Sequence, residues 1–237
     1  MNKNIKITII GGGISGLTTA LCLEYYGYNN YKIYEQAKEF GEVGAAISLW
    51  PNALYVYKKI GIYNDLTTKW GEIKSGYIKT EKGKVITQTT PKYDLPLVCI
   101  HRADLHDTLL KRLPKEKLIS NHKLSSISSS SEITKLHFTN GIEIESDIII
   151  GADGINSIVR KHIVNDGTPI YRGYNIWRGI ATLKNTSSGY SSETWGIGKR
   201  VGIVPLKNHK FGWWATINED ENQIDEPLGS LQKLITQ

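Results

Sequence analysis

The chain has 237 residues, 40% hydrophobic and 22% charged, with 23 Gly and 7 Pro, which is globular and long enough for one sizeable core or two modest ones. Its net charge of +6 and pI near 9.1 come from scattered lysines, which excludes a nucleic-acid arm built from a run of like charges. The N-terminal apolar run ending at Gly11 is too short for a membrane span and lacks a signal-peptide cleavage pattern, and Cys22 and Cys99 lie far apart in apolar segments; the expectation is a cytoplasmic protein with reduced, buried thiols.

Ile5 to Ile10 is a β-branched apolar run suited to a strand buried on both faces of a parallel sheet. Gly11-Gly12-Gly13-Ile14-Ser15-Gly16 follows at once. Leu17 to Tyr26 then carries helical spacing through Leu17, Ala20, Leu21 and Leu23, with Gly27 as its stop and Tyr31 to Glu35 as a second strand. Strand, glycine turn, helix and strand make one βαβ unit. Ala45 to Gly61 is expected to form another helix, with Leu54, Val56, Tyr57 and Ile60 on its apolar side. Tyr77 to Thr80, a turn at Glu81-Lys82-Gly83-Lys84 and Val85 to Thr87 predict a β-hairpin, which belongs to a second sheet rather than to an α/β repeat.

Leu97 to Ile100 reads as a short strand and Arg102 to Leu113 as a helix. Lys117 to Ser146 holds three short strands, separated by a solvated serine loop at Ser125 to Ser131 and a hairpin signal at Asn140-Gly141. Ile148-Ile149-Ile150 returns to a buried parallel strand ending in Gly151-Ala152-Asp153-Gly154, with a helix from about Ser157 to Ile163. Beyond it Tyr171, Tyr174, Trp177, Trp195, Trp213 and Trp214 alternate with glycines and β-branched residues. The fold class expected is α/β: a Rossmann-like dinucleotide-binding domain (residues 1–74 and 97–165) interleaved with part of a mostly antiparallel β-sheet domain (75–96 and 166–237).

Gly11, Gly13 and Gly16 have the GxGxxG spacing. The first permits the tight turn, the second lets the backbone approach a pyrophosphate, and the third lets helix pack on strand. The phosphates then meet free N–H groups at a helix N-terminus. Glu35 ends the next strand about twenty residues on, where an acid binds ribose hydroxyls. The unit by itself leaves NAD and FAD both open. His101 and His106 have no third ligand nearby in sequence, so no metal site is expected, and no Ser/His/Asp pattern stands out.

Several further segments carry a resemblance: Tyr34-Glu35, Val43 to Asn52, His101 to Leu105, Gly151 to Ser157 with Arg160, Tyr171 to Gly179, and Gly196 to Val201. With the glycine motif, and in this order, the chain resembles the group A flavoprotein monooxygenases, such as salicylate and urate hydroxylases and zeaxanthin epoxidases. The resemblance makes the first domain an FAD-binding domain and the second a substrate domain. It places Ser15 against the pyrophosphate, Glu35 and Gln36 at the adenosine end, Ser48 and Arg102 near the ribityl or phosphate portion, and Leu124 at the adenine pocket. Asp153 and Gly154 correspond to a second fingerprint tied to FAD and transient nicotinamide binding. Similar enzymes reduce FAD with NADPH or NADH and use O2, through a flavin hydroperoxide, to hydroxylate or epoxidise a small aromatic or unsaturated substrate. Arg200 is then the candidate catalytic residue, stabilising a substrate anion or developing negative charge. Trp177, Arg178, Trp213 and Trp214 are candidates to line an aromatic pocket.

The family's Gly-Asp motif followed by Ala-Ala-His-type residues does not occur in these residues. The alternative expectations are therefore a truncated, non-catalytic FAD- or nucleotide-binding fragment and a nicotinamide-only dehydrogenase. The Arg102 and Asp153-Gly154 segments argue against the latter.

Overall fold

The structure, a computed structural model, describes residues 3–41, 44–130, 134–182 and 189–221. Val43, Ser131 and residues 222–237, all assigned roles above, lie outside the described residues. The chain opens with β1 (Ile7–Ile10), α1 (Ile14–Tyr25) and β2 (Tyr31–Tyr34), followed by β3 (Ala46–Leu49), α2 (Pro51–Lys59) and α3 (Tyr63–Thr67). Next come β4 (Gly71–Glu72), β5 (Ser75–Thr80), β6 (Val85–Thr89), β7 (Val98–His101) and α4 (Arg102–Leu110). Strands β8 (Leu118–Ile119), β9 (Leu124–Ser129), β10 (Thr134–Phe138), β11 (Glu143–Ser146) and β12 (Ile148–Gly151) precede α5 (Ile158–Ile163). The remaining strands are β13 (Tyr174–Thr182), β14 (Tyr190–Gly196), β15 (Lys199–Pro205) and β16 (Lys210–Asn218).

Two compact units divide the chain. The first comprises Met1–Val43, Val56–Leu66 and Arg102–Pro169. Its parallel sheet has the order β12-β1-β2-β8, with Ile7 opposite both Tyr31 and Ile148. All four residues of β1 are buried, as a central parallel strand requires. Helix α1 stops where expected: Gly27 takes φ +79°, its N–H bonds Glu24 O, and Tyr28 N–H bonds Leu23 O, a Schellman closure that only a residue tolerant of left-handed φ completes without strain. A separate antiparallel sheet, β11-β10-β9, contributes Leu124, Leu136 and Phe138 to a core with Ile10, Tyr34 and Val159.

The second unit comprises Gly44–Tyr55, Thr67–His101 and Ile170–Gln237. Its main sheet runs β13-β16-β15-β14-β5-β6 and is antiparallel except where β14 lies parallel to β5. The β5–β6 hairpin forms at the expected place. A smaller sheet, β3-β7-β4, packs Cys99, Leu97 and Ile73 against Val204 and Leu206. That packing explains why residues 44–55, 67–74 and 97–101 group with the second unit, a division that differs from the boundaries drawn from sequence.

Five local expectations are corrected. The helix foreseen over Ala45 to Gly61 is a strand and a shorter helix: Ala46–Leu49 pairs with β7, and α2 begins only at Pro51. A residue before proline is pushed out of the helical region, while proline at a first helical position is pre-organised for it. The serine tract is not a loop through Ser129; it forms most of β9, whose backbone is satisfied by β10. Lys117 to Ser146 holds four strands rather than three, the extra one being the two-residue β8. The isoleucines of β12 are half-buried or exposed rather than buried, because β12 lies at an end of the described sheet. Cys99 is buried, but Cys22 only partly so.

Candidate functional site

The glycine run joins β1 to α1 and is shaped by three different close approaches. Gly11 has φ +107°, and a Cβ there would fall 2.2 Å from Ala152 O. Gly12 would place a Cβ 2.4 Å from the Phe40 ring, and Gly16 would place one 1.9 Å from Gly11 O. Gly13 is the N-cap of α1, in extended conformation and without a side-chain cap. The first intrahelical bond is Leu17 N–H to Gly13 O at 3.0 Å, so the N–H groups of Ile14, Ser15 and Gly16 precede it and have no partner within the helix. Ser15 is exposed beside them. This is a cradle of main-chain donors closed to side chains, and it fits a diphosphate.

Glu35 follows β2 and turns back toward the glycines. Its Oε2 accepts the Gly12 N–H at 2.6 Å, and its Oε1 accepts the Ala37 N–H at 2.8 Å. Each oxygen keeps a further lone pair for an outside donor. Gln36 is exposed next to it. From α4, His106 reaches the same loop, with Nε2 2.8 Å from Gly12 O. Asp153 and Gly154 follow β12, which is tied to the loop by Ala152 N–H to Ile10 O at 2.7 Å. The Asp153 carboxylate accepts the Ser157 hydroxyl and the Ile158 N–H, the latter at 2.8 Å, and so caps α5; Gly154 takes φ +79°. Arg102 is the first residue of α4.

Leu124 was placed at an adenine pocket. It is 5% exposed and packs in the core with Tyr34, Phe138 and Val159.

The second unit holds a cavity of about 270 Å³ lined by Ala45, Ala46, Ser48, Ile176, Arg178, Val204, Gly212, Trp213 and Trp214. Across the sheet Arg178 pairs with Trp214, and Trp214 with Gly202. A Cβ on Gly202 would lie 2.0 Å from the Trp214 ring, so that glycine lets the indole lie over β15. Gly212 does the same for β3: its Cβ would fall 2.2 Å from Ala46 Cβ. Arg178 is the one charged residue among those lining the cavity. Ser48 Oγ is 3.2 Å from Cys99 Sγ, and burial pushes the Cys99 thiol up to about 11 despite that hydrogen bond.

Arg200 is exposed on β15, opposite Thr216 and Trp195. Its guanidinium lies 3.5 Å from Glu193 Oε1 and 6.0 Å from the Tyr174 ring centre. By strand alternation it shares a sheet face with Arg178 and Trp214, one residue pair, roughly 7 Å, along the strand from Gly202. It is not among the cavity's lining residues.

The first unit thus gathers Gly11, Gly13, Ser15, Gly16, Glu35, Gln36, Asp153 and Gly154 around the ends of β1, β2 and β12. Ser48 and Arg200 belong to the second unit. The sequence reading missed Gly12 and His106. The only local signal for Gly12 is that three glycines are consecutive, and nothing in spacing marks His106.

Comparison with known proteins bears on the same residues. The chain is 30% identical over 233 residues to the aurachin C monooxygenase/isomerase of Stigmatella aurantiaca, covering 96% of this chain and 61% of that protein. It is 30% identical over 187 residues to a 6-hydroxynicotinate 3-monooxygenase of Bordetella bronchiseptica, covering 76% and 49%. The chain therefore spans about half to three fifths of the length of these relatives. Among solved structures, Klebsiella pneumoniae HpxO complexed with FAD and uric acid superposes with a TM-score of 0.81 at 24% identity, over 94% of this chain and 58% of that one; at that identity the likeness shows the fold. The model of the FAD binding domain family matches residues 4–186, from the strand before the glycine cradle to beyond β13, and the chain belongs to that family.

Proposed function

We propose that this chain forms the cofactor-binding part and a portion of the substrate-binding part of an FAD-dependent monooxygenase. The reaction is hydroxylation or epoxidation of a small aromatic or unsaturated substrate with NAD(P)H and O2. The observation that carries the reading is the glycine cradle, closed to any Cβ at Gly11, Gly12 and Gly16, in a chain of the FAD-binding family. Bound FAD supplies the redox chemistry and the oxygen transfer. The protein's own contribution is binding and orientation. Gly13, Ser15 and the first turn of α1 receive the diphosphate, Glu35 and Gln36 the adenosine end, Arg102 and Ser48 the ribityl and phosphate portion, and Asp153-Gly154 completes the loop side.

The cavity in the second unit supports an aromatic substrate carrying an anionic group. Trp214, on the same sheet face as Arg178, gives it a flat apolar wall, and its volume exceeds the roughly 150 Å³ that accommodates benzene. Arg178 supplies a planar donor pair suited to a carboxylate, and the relative named for 6-hydroxynicotinate acts on such a ring. Arg200, on the same sheet face but outside the cavity lining, is the candidate to stabilise negative charge developing on the substrate.

The deciding experiment is the visible spectrum of the purified chain after FAD is added and excess removed, followed by NAD(P)H oxidation and oxygen uptake against a panel of hydroxylated aromatic acids. Retained flavin with substrate-dependent oxygen uptake supports the reading. Retained flavin without oxygen uptake from these residues supports a binding fragment, and no retained flavin removes the reading for this chain. Arg178→Gln should weaken binding of an aromatic carboxylate about tenfold or more, the range of a hydrogen bond to a charged group, while flavin content is unchanged. Equal affinity in the variant would remove Arg178 from the anion site.

A further inference from the structure

The geometry points to His106 as a positioning residue that aims the phosphate-binding loop. The inference rests on the flavin reading above, but the contact itself lies wholly within the first unit and exists without any ligand.

His106 is 3% exposed on α4, and its Nε2 lies 2.8 Å from Gly12 O. A carbonyl oxygen only accepts, so Nε2 carries the proton and donates. Gly12 O belongs to the peptide joining Gly12 to Gly13, and the described chain has no cis peptide. In a planar trans peptide the C=O and the following N–H point in opposite directions. With the carbonyl held inward by the imidazole, the Gly13 N–H is turned outward, toward the open side of the cradle.

The preceding peptide is fixed in a complementary way. Gly12 N–H is held by Glu35 Oε2 at 2.6 Å, so the Gly11 carbonyl on the same peptide faces away from Glu35. It lies against α1 at Gly16, where a Cβ would come within 1.9 Å of it. Two successive peptide planes are therefore clamped, one by an acid after β2 and one by a histidine on α4. Without the imidazole the second plane loses the donor that holds its carbonyl, and rotating it costs little because Gly12 and Gly13 are glycines.

Arg102 stands four residues before His106 and hence on the same face of α4. That helix supplies both a phosphate-matched cation and the group that orients a main-chain donor.

The test compares the full chain with His106→Leu, His106→Gln and His106→Asn, measuring FAD affinity by quenching of flavin fluorescence. Thermal midpoints without FAD are recorded alongside. A glutamine amide reaches about as far as Nε2 and restores a donor, whereas asparagine reaches only as far as Nδ1. The expected result is a loss of tenfold or more in FAD affinity for leucine and asparagine, most of it regained by glutamine. Equal affinity in His106→Leu and the parent overturns the proposal, as does a loss in His106→Gln as large as that in His106→Leu. A second arm uses the chain without FAD. Nitrogen-15 shifts of the imidazole should show the Nε2-protonated form, and the Gly13 amide should exchange rapidly with solvent in the parent. An Nδ1-protonated ring or a protected Gly13 amide overturns the clamp. If the parent takes up no FAD, the flavin reading fails, and this second arm still decides the role of His106.

Discussion

Residue by residue, the cradle shows how unequal its glycines are. At Gly16 the obstacle to a side chain is main-chain oxygen at 1.9 Å, which cannot rotate aside, whereas Gly41, outside the cradle, has nothing within 4 Å of the position its Cβ would take. Gly16→Ala should lower stability by about 1–3 kcal/mol, the usual cost of overpacking, and abolish flavin retention. Gly41→Ala should leave both near the parent values. Urea midpoints and flavin content check this, and a fully competent Gly16→Ala would contradict the close approach. Cys99 gives a prediction of a different kind. Burial raises its thiol from 9.0 to about 11, so its folded pKa lies above the unfolded one. Its contribution to stability is complete below pH 9 and is lost as pH climbs through 11. At pH 8 almost no thiolate exists, and iodoacetamide should label Cys99 only after denaturant is added, as read by peptide mass spectrometry. Labelling in the native chain at the denatured rate would contradict the burial.

For elements, the decisive contacts are those between strands distant in sequence. Gly212 lets β3 lie on β16, with Ala46 Cβ 2.2 Å from where a side chain would begin. Gly212→Val should separate the two and cost about 1–3 kcal/mol, while Gly16 and its loop, in the other unit, keep their geometry. A lower urea midpoint is the expected outcome, with a smaller loss of flavin than in Gly16→Ala because Ser48 on β3 is one contact among several; an unchanged urea midpoint would contradict the close approach. The same contact explains what the sequence concealed. Ala46–Leu49 is a strand because β7, some fifty residues later, pairs with it; its own composition reads equally well as helix. The serines of β9 have no apolar alternation to announce a strand, yet β10 satisfies their backbone. By contrast β1, the glycine turn, α1 and the β5–β6 hairpin were legible, since each is specified by patterns within a dozen residues. The cradle was legible for that reason, and His106 was not, because its partner lies 94 positions away.

Taken whole, the chain forms two compact units from interleaved segments, with Ile10 and Phe138 packed together in one and Cys99 and Val204 in the other. A ligand that binds only the folded state stabilises by about 2.7 kcal/mol at a hundredfold excess over its Kd. For a chain of this size that is a rise of about 5–10 °C in Tm. Scanning calorimetry with FAD should show this rise in the parent and not in Gly16→Ala. No rise in a parent that demonstrably retains flavin would mean that the cofactor site and the cooperative fold are uncoupled.

The position of β12 has a consequence for the protein in a test tube. Among the described residues it ends the parallel sheet, and Ile148 to Gly151 are half-buried or exposed. An open edge of this kind is a template for strands from neighbouring molecules. For these residues on their own, association that grows with protein concentration is the expected outcome, and light scattering over a dilution series checks it; a size independent of concentration would contradict an open edge.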